Sequence, residues 1–258
     1  MKLEGKTAVI TGGGRGIGAV VAGALAEEGV SVVVSARSQS EIEGVAEELR
    51  GRGHTAWAVS CDVTDPAQIF ALAEAAGEHL GRVDILVNNA GTVTSMPLKA
   101  LTLETWNHTL AVNATGVFLC TKAFLPGMIE SGWGRVVNIA SIAGKTGGPY
   151  ISAYSASKHA VIGFTRSVAA EVATTGVTVN AVCPGYVDTP MTDRSVERIV
   201  EKTGADPETV RETMRRTSPQ NRLMEPQEVA LQVVNLCDPG AKGINGQAVV
   251  VDGGGVQS

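Results

Sequence analysis

The sequence is poor in aromatic side chains, in charge and in clustered metal ligands. Only 4% of its 258 residues are Phe, Trp or Tyr, and 18% are charged. Aromatics so few and so dispersed, Trp57, Trp106 and Trp133 among them, make no stacking platform for bases, and no basic run tracks along the chain. The 21 Lys+Arg against 26 Asp+Glu leave a formal charge of −5, the wrong sign for a nucleic acid or an anionic membrane as partner. Cys61, Cys120, Cys183 and Cys237 show no C-x-x-C spacing, so neither a zinc knuckle nor a disulfide framework is indicated. Reduced thiols in the cytoplasm are the expectation. His54, His79 and His108 have no metal-ligand spacing, and no metal is expected. The first six residues carry no apolar signal region. The apolar run 112–125, interrupted by Asn113, Thr115 and Lys122, is too short to span a bilayer.

Glycine, by contrast, is abundant: 31 residues in a 44% hydrophobic composition, the mark of a packed globular chain with many tight turns. Residues 7–10 form an apolar run, 11–18 a glycine-rich loop, and 19–28 a segment of helical composition stopped by Gly29. Further strands are predicted at 31–35, 55–59, 84–87, 135–139, 178–182 and 248–251, and further helices at 40–50, 65–80, 102–130 and 153–173. Asp65 followed by Pro66 is a helix start, and Pro126 should kink or end the long helix early. This alternation predicts one α/β domain over 1–258, a Rossmann-type, doubly wound, seven-stranded parallel sheet with helices on both faces. The irregular stretch 188–225, punctuated by Pro190, Gly204, Pro207 and Pro219, follows the sixth strand and reads as a substrate lid of one or two helices.

Gly12, Gly16 and Gly18 are spaced G-x-x-x-G-x-G between the first strand and its helix. Such a turn can simply let helix pack on strand, but at this place in a βαβ series it suits a dinucleotide, whose pyrophosphate would meet backbone N–H groups at a helix N-terminus. The acidic residue that would bond a ribose 2′-OH is missing at the end of the second strand, which reads Ser35-Ala36-Arg37. With Arg37 and Arg15 able to receive a 2′-phosphate, NADP(H) is preferred over NAD(H).

Tyr154 and Lys158 stand four apart in a predicted helix, so they share a face, and a nearby ammonium favours a phenolate. A bare pair of this kind is more often a solvated surface. Ser141, at the end of the fifth strand, points to the cofactor cleft if it does not merely cap a turn. Asn113 is an awkward residue for a helix interior unless its amide has a task. His159 adjoins Lys158 but is turned about 100° away and reads as packing or surface.

Together, Thr11-Gly12-x-x-x-Gly16-Ile17-Gly18, Asp62-Val63, Asn88-Asn89-Ala90-Gly91, Asn113, Ser141, Tyr154-x-x-x-Lys158 and Pro184-Gly185 resemble the short-chain dehydrogenase/reductase family, in order, over nearly the whole chain. The resemblance implies that Tyr154 is the acid/base of a hydride-transfer enzyme, that Lys158 lowers its pKa and holds the nicotinamide ribose, that Ser141 bonds the substrate oxygen, and that Asn113 holds a relay water. It further implies that Asp62 and Val63 flank the adenine, Asn89, Ala90 and Gly91 the adenosine ribose side, and Pro184, Gly185 and Val187 the nicotinamide. A homotetramer is the family expectation.

The segment 154–191 is similar to 3-oxoacyl reductases and polyketide ketoreductases. Carrier-docking members often carry basic residues near the ends of the two long helices; here residues 128–133 and 169–173 carry none, which turns the expectation toward a CoA thioester or a free ketone. Three readings stand: an NADP(H)-dependent reductase of a 3-oxoacyl-type or polyketide-like ketone, an NAD(H)-dependent dehydrogenase of a cyclic or aromatic alcohol, and a non-catalytic dinucleotide sensor.

Overall fold

Strands rich in valine, with alternate residues facing opposite ways, build the computed structural model, which describes residues 2–257. The sheet comprises β1 (Thr7–Thr11), β2 (Ser31–Ala36), β3 (Ala56–Ser60), β4 (Ile85–Asn88), β5 (Gly134–Ile139), β6 (Val177–Pro184) and β7 (Ala248–Val251). All pairings are parallel, in the order β3-β2-β1-β4-β5-β6-β7. Ala8, Ile10, Val32, Val34, Ile85 and Val87 enter one core, while Val9, Val33 and Leu86 between them enter the other. That period of two is what a sheet buried on both faces requires.

Helices α1 (Gly16–Glu27) and α2 (Gln39–Gly51) cover the first face together with α9 (Pro226–Cys237). Helices α3 (Pro66–Leu80), α5 (Gly116–Glu130) and α6 (Ser152–Glu171) cover the second. The expected doubly wound sheet is observed. Helix α9 is an addition that the sequence reading does not assign; its polar spacing hides an apolar face, Val229, Val233 and Leu236, seated beside α1.

Between 102 and 130 the chain is helical throughout, as α4 (Leu103–Leu110), a wider π-helical stretch (Ala111–Thr115) and α5. Pro126 lies inside α5 without ending it. Its missing N–H deprives only the carbonyl of exposed Lys122, which water can serve. The whole segment Leu103–Glu130 is long and apolar enough, by length and composition, to cross a membrane, so the sequence expectation of too short a run does not hold for the helix as a whole. Its apolar side is spent on the protein: Val117, Cys120, Phe124 and Met128 are buried.

The stretch 188–225 contains two helices, α7 (Pro190–Thr203) and α8 (Pro207–Arg215). They close on a core of their own, Val196 against Val210 and Met214, with Ile199, Val200 and Leu223 around it.

Candidate active site

Because the strand order reverses between β1 and β4, the loops that leave their carboxyl ends part and leave a crevice. A cleft of about 440 Å³ lies there, lined by Gly12, Arg15, Gly16 and Ile17 after β1, by Ala36 and Arg37 after β2, by Asp62 and Val63 after β3, and by Asn89, Ala90 and Gly91 after β4. Ten of the residues expected at the cofactor are thus brought to one wall.

The two central loops are stitched together. Thr11 Oγ1 accepts from the N–H groups of Asn89 and Ala90, both at 3.1 Å, and Asn89 Nδ2 donates to the carbonyls of Thr11 and Gly12 at 3.0 Å. Gly12 adopts φ +64°, and a Cβ there would come within 2.9 Å of Ala90 Cα. Gly18 has a different task. It does not face the cleft; a methyl there would run into the Gly12 carbonyl and come within 2.5 Å of Asn89 Nδ2, so its absence lets α1 seat on the loop. Gly16 faces Thr189 at the start of α7, its Cβ position 3.5 Å from Thr189 Cγ2.

Both arginines expected to receive a 2′-phosphate are present on the wall, yet neither is free of carboxylates: Arg15 pairs with Glu41, and Arg37 lies 3.9 Å from Asp62. Asp62 also folds back on its own loop, accepting from the N–H and hydroxyl of Thr64. Pro184, Gly185 and Val187 do not line this cleft. Pro184 ends β6, Gly185 donates to the Val251 carbonyl at 2.9 Å, and Val187 is buried beside Met224.

Deeper in, β4 and β5 support the reacting groups. Asn88 Nδ2 bonds Asn138 Oδ1 at 2.8 Å and Thr121 Oγ1 at 3.1 Å, and Asn138 Nδ2 bonds Thr165 Oγ1 at 2.9 Å, tying α5 and α6 to the sheet. Lys158, buried, donates to the Ile139 carbonyl at 2.8 Å. Its ammonium sits 5.8 Å from the centre of the Tyr154 ring and 3.8 Å from where a Gly91 Cβ would be, which joins α6 to the cleft. Ser141 does two things at once. Its Oγ accepts from Ala143 N–H at 3.1 Å, capping a short turn, and it lies beside the Tyr154 hydroxyl.

Electrostatically the pair departs from expectation. Burial raises the Tyr154 phenol above its usual value, with Ser141 opposing, and the ammonium of Lys158 does not reverse that. Burial likewise lowers Lys158, to about 8. Desolvation of the charged form is the largest cause for each group.

Asn113 is fully buried in the π-helical stretch, where Oδ1 accepts from Thr92 N–H at 2.8 Å and both Nδ2 hydrogens are used, one donated to the Thr92 carbonyl at 2.9 Å and one to Ser157 Oγ at 3.0 Å. These bonds make Asn113 a brace that fixes the loop after β4 against α6. Wide π turns recur at functional sites, and this one places the brace.

Sequence reasoning missed several cleft residues. His108, set aside as bland, lines the cleft from α4, and Met191, Arg194, Ser195 and Arg198 line it from α7. Their spacing of three and four was the available signal.

Residues 6–199 match the family model described as short chain dehydrogenase. The chain is 42% identical over 253 residues to a putative ketoacyl reductase of Streptomyces coelicolor, covering 97% of each, and 41% identical over 254 residues to the oxidoreductase UcpA of Escherichia coli, covering 98% of this chain and 95% of the relative. Among solved structures it resembles an actinorhodin polyketide ketoreductase variant with NADPH, with a TM-score of 0.94, 42% identity and 97% of each chain covered.

Proposed function

This chain belongs to the short-chain dehydrogenase family, is an oxidoreductase, and has NADP(H) as its cofactor; from that premise we propose that it reduces a 3-oxoacyl-type or polyketide-like ketone to a secondary alcohol, with Tyr154 as the proton donor. The residues present fit the dinucleotide. The loop after β1 packs at Gly12 directly on Asn89 and Ala90 and lines the cleft with Gly12 and Gly16, and the start of α1 offers backbone N–H groups to a diphosphate. Arg37, mostly exposed, and Arg15 are the groups for a 2′-phosphate, each released from its carboxylate as the phosphate takes its place.

Bound there, NADPH supplies the hydride. Ser141 then orients the substrate oxygen, and Tyr154 transfers its proton to that oxygen as charge develops on it. The observation that carries this reading is the placement of Tyr154: its hydroxyl lies beside Ser141, and the Lys158 ammonium, held by the Ile139 carbonyl, stands 5.8 Å from its ring centre. Lys158, lowered only to about 8, is largely charged at pH 7, and its cation stabilises the phenolate left behind. Asn113 keeps the Gly91-Thr92 loop and α6 in register around these groups.

In the same reading, α7 and α8 form the substrate lid of a single domain, and the enzyme is a cytoplasmic homotetramer. The edge-to-face pair of Phe118 and Phe164 on the outer side of α5 and α6, with Phe118 43% exposed, supports self-association.

NADPH oxidation measured against an acetoacetyl thioester, cyclic ketones and aromatic ketones tests the reaction and names the substrate class. Tyr154→Phe should lose about two to four decades of kcat while still binding NADPH in a fluorescence titration. Turnover of any ketone by that variant at the wild-type rate would overturn the mechanism.

A further inference from the structure

The four arginines that line the cleft are not equivalent. Arg15 and Arg37 are matched by Glu41 and Asp62 on the same walls. Arg194 and Arg198 have no ion-pair partner among the described residues. Four apart on α7, they share one face with Met191 and Ser195, while Val196 and Val200 turn the other way into the core formed with α8. The lid's own packing therefore aims both cations at the cleft. His108 stands on another wall, and Arg198 is held by the Val93 carbonyl at 3.1 Å, a neutral acceptor that leaves its charge uncompensated.

Position decides which anion these groups meet. Thr189, at the start of α7, is the residue that touches the glycine loop. At 1.5 Å of rise per residue, Arg194 lies about 7 Å and Arg198 about 13 Å farther along the helix, which sets Arg198 beyond reach of a diphosphate seated on that loop and Arg194 between the two. In the other direction, Val93 is two residues from Gly91, whose Cβ position is 3.8 Å from Lys158 Nζ. Two residues span at most about 7 Å, so the Arg198 head stands on the order of 10 Å from the reacting groups.

We propose that Arg194 and Arg198 bind an anionic substituent of the ketone substrate, a carboxylate or a phosphate, and so set its specificity. The proposal rests on the ketone-reductase reading above. An arginine fork matches either anion with two parallel, charge-assisted bonds, which no neutral substituent can use. A neutral ketone would leave two cations facing the site without partners.

The test uses NADPH and two matched pairs: a 3-oxo dicarboxylate half-ester with its neutral diester, and acetoacetyl-CoA with the neutral acetoacetyl N-acetylcysteamine thioester. Wild type is compared with the double variants Arg194→Gln/Arg198→Gln and Arg194→Lys/Arg198→Lys. In the Gln variant, kcat/KM for the charged member of one pair should fall about tenfold or more relative to its neutral partner, the loss of one charge-assisted bond, and the Lys variant should recover part of it. The pair that responds tells carboxylate from phosphate. Equal losses for charged and neutral members, or a rise confined to the KM for NADPH, would overturn the proposal. A wild type inert toward all four compounds removes the 3-oxoacyl reading, and the proposal with it.

Discussion

Replacing Lys158 by methionine should stabilise the protein while abolishing its chemistry. The ammonium is buried, and its pKa falls from 10.5 to about 8, which corresponds to about 3 kcal/mol of disfavour for the charged form in the folded protein. At pH 7 the wild type carries that cost in full, because both folded and unfolded chains hold the proton. Methionine removes it at similar length but leaves the Ile139 carbonyl without its 2.8 Å donor, a loss of about 1–2 kcal/mol. The net gain is about 1–2 kcal/mol, or about 2–8 °C in Tm for a chain of this size. The pH dependence distinguishes this origin from better packing. Between about pH 8 and 10.5 the folded protein has released the Lys158 proton and the unfolded chain still holds it, so raising pH favours the folded wild type. The advantage of Lys158→Met should therefore shrink across that window and be constant below it. Urea unfolding of both proteins from pH 6 to 10, taken as the difference between them, measures it. A variant that is less stable at pH 7, or a difference that does not change with pH, would refute the account of Lys158 as a desolvated cation tolerated for function.

Two further outcomes follow from the cofactor wall. Gly18→Ala should destabilise by about 1–3 kcal/mol, since the methyl meets the Gly12 carbonyl and Asn89 rather than a flexible side chain, and should weaken NADPH binding in the same variant; thermal unfolding at its wild-type midpoint would contradict that packing role. Ala36→Asp combined with Arg37→Ala should bring the ratio of kcat/KM for NADPH over NADH below one, by supplying the carboxylate a 2′-OH requires and removing the cation a 2′-phosphate uses; a ratio that barely moves would place the selectivity elsewhere.

The parts of this molecule that the sequence displays are those decided by local backbone requirements. Short apolar runs announce the strands, Asp65 with Pro66 announces α3 and its side chain caps Ala67 N–H as expected, and the spacing of Gly12, Gly16 and Gly18 marks a loop where Cβ atoms meet close neighbours. What it hides depends on partners distant in the chain. Glu41 is 26 residues from Arg15, and Asp62 25 from Arg37, so the carboxylates that await displacement cannot be read beside the arginines they hold. Asn113 illustrates the same limit. Its oddity in a helix is visible in the sequence, but its bonds to Thr92 and Ser157, 21 and 44 residues away, are not.

Tyr154 and Lys158 show how a pairing read from spacing leaves the net shift of each group to its surroundings. Their i,i+4 spacing guarantees proximity, and in water an ammonium beside a phenol would lower its pKa. Here the surroundings that bring them to Ser141 also desolvate both, and burial acts on each group separately and against its charge: up for the phenol, down for the ammonium. At pH 7 the phenol holds its proton and the lysine stays largely charged. The same surroundings then favour the phenolate only once Tyr154 has given its proton away, because the charge that appears there faces an ammonium across a poorly screened 5.8 Å, measured to the ring centre. Sequence spacing locates such a pair, whereas burial, which spacing does not show, sets the direction in which each group is shifted.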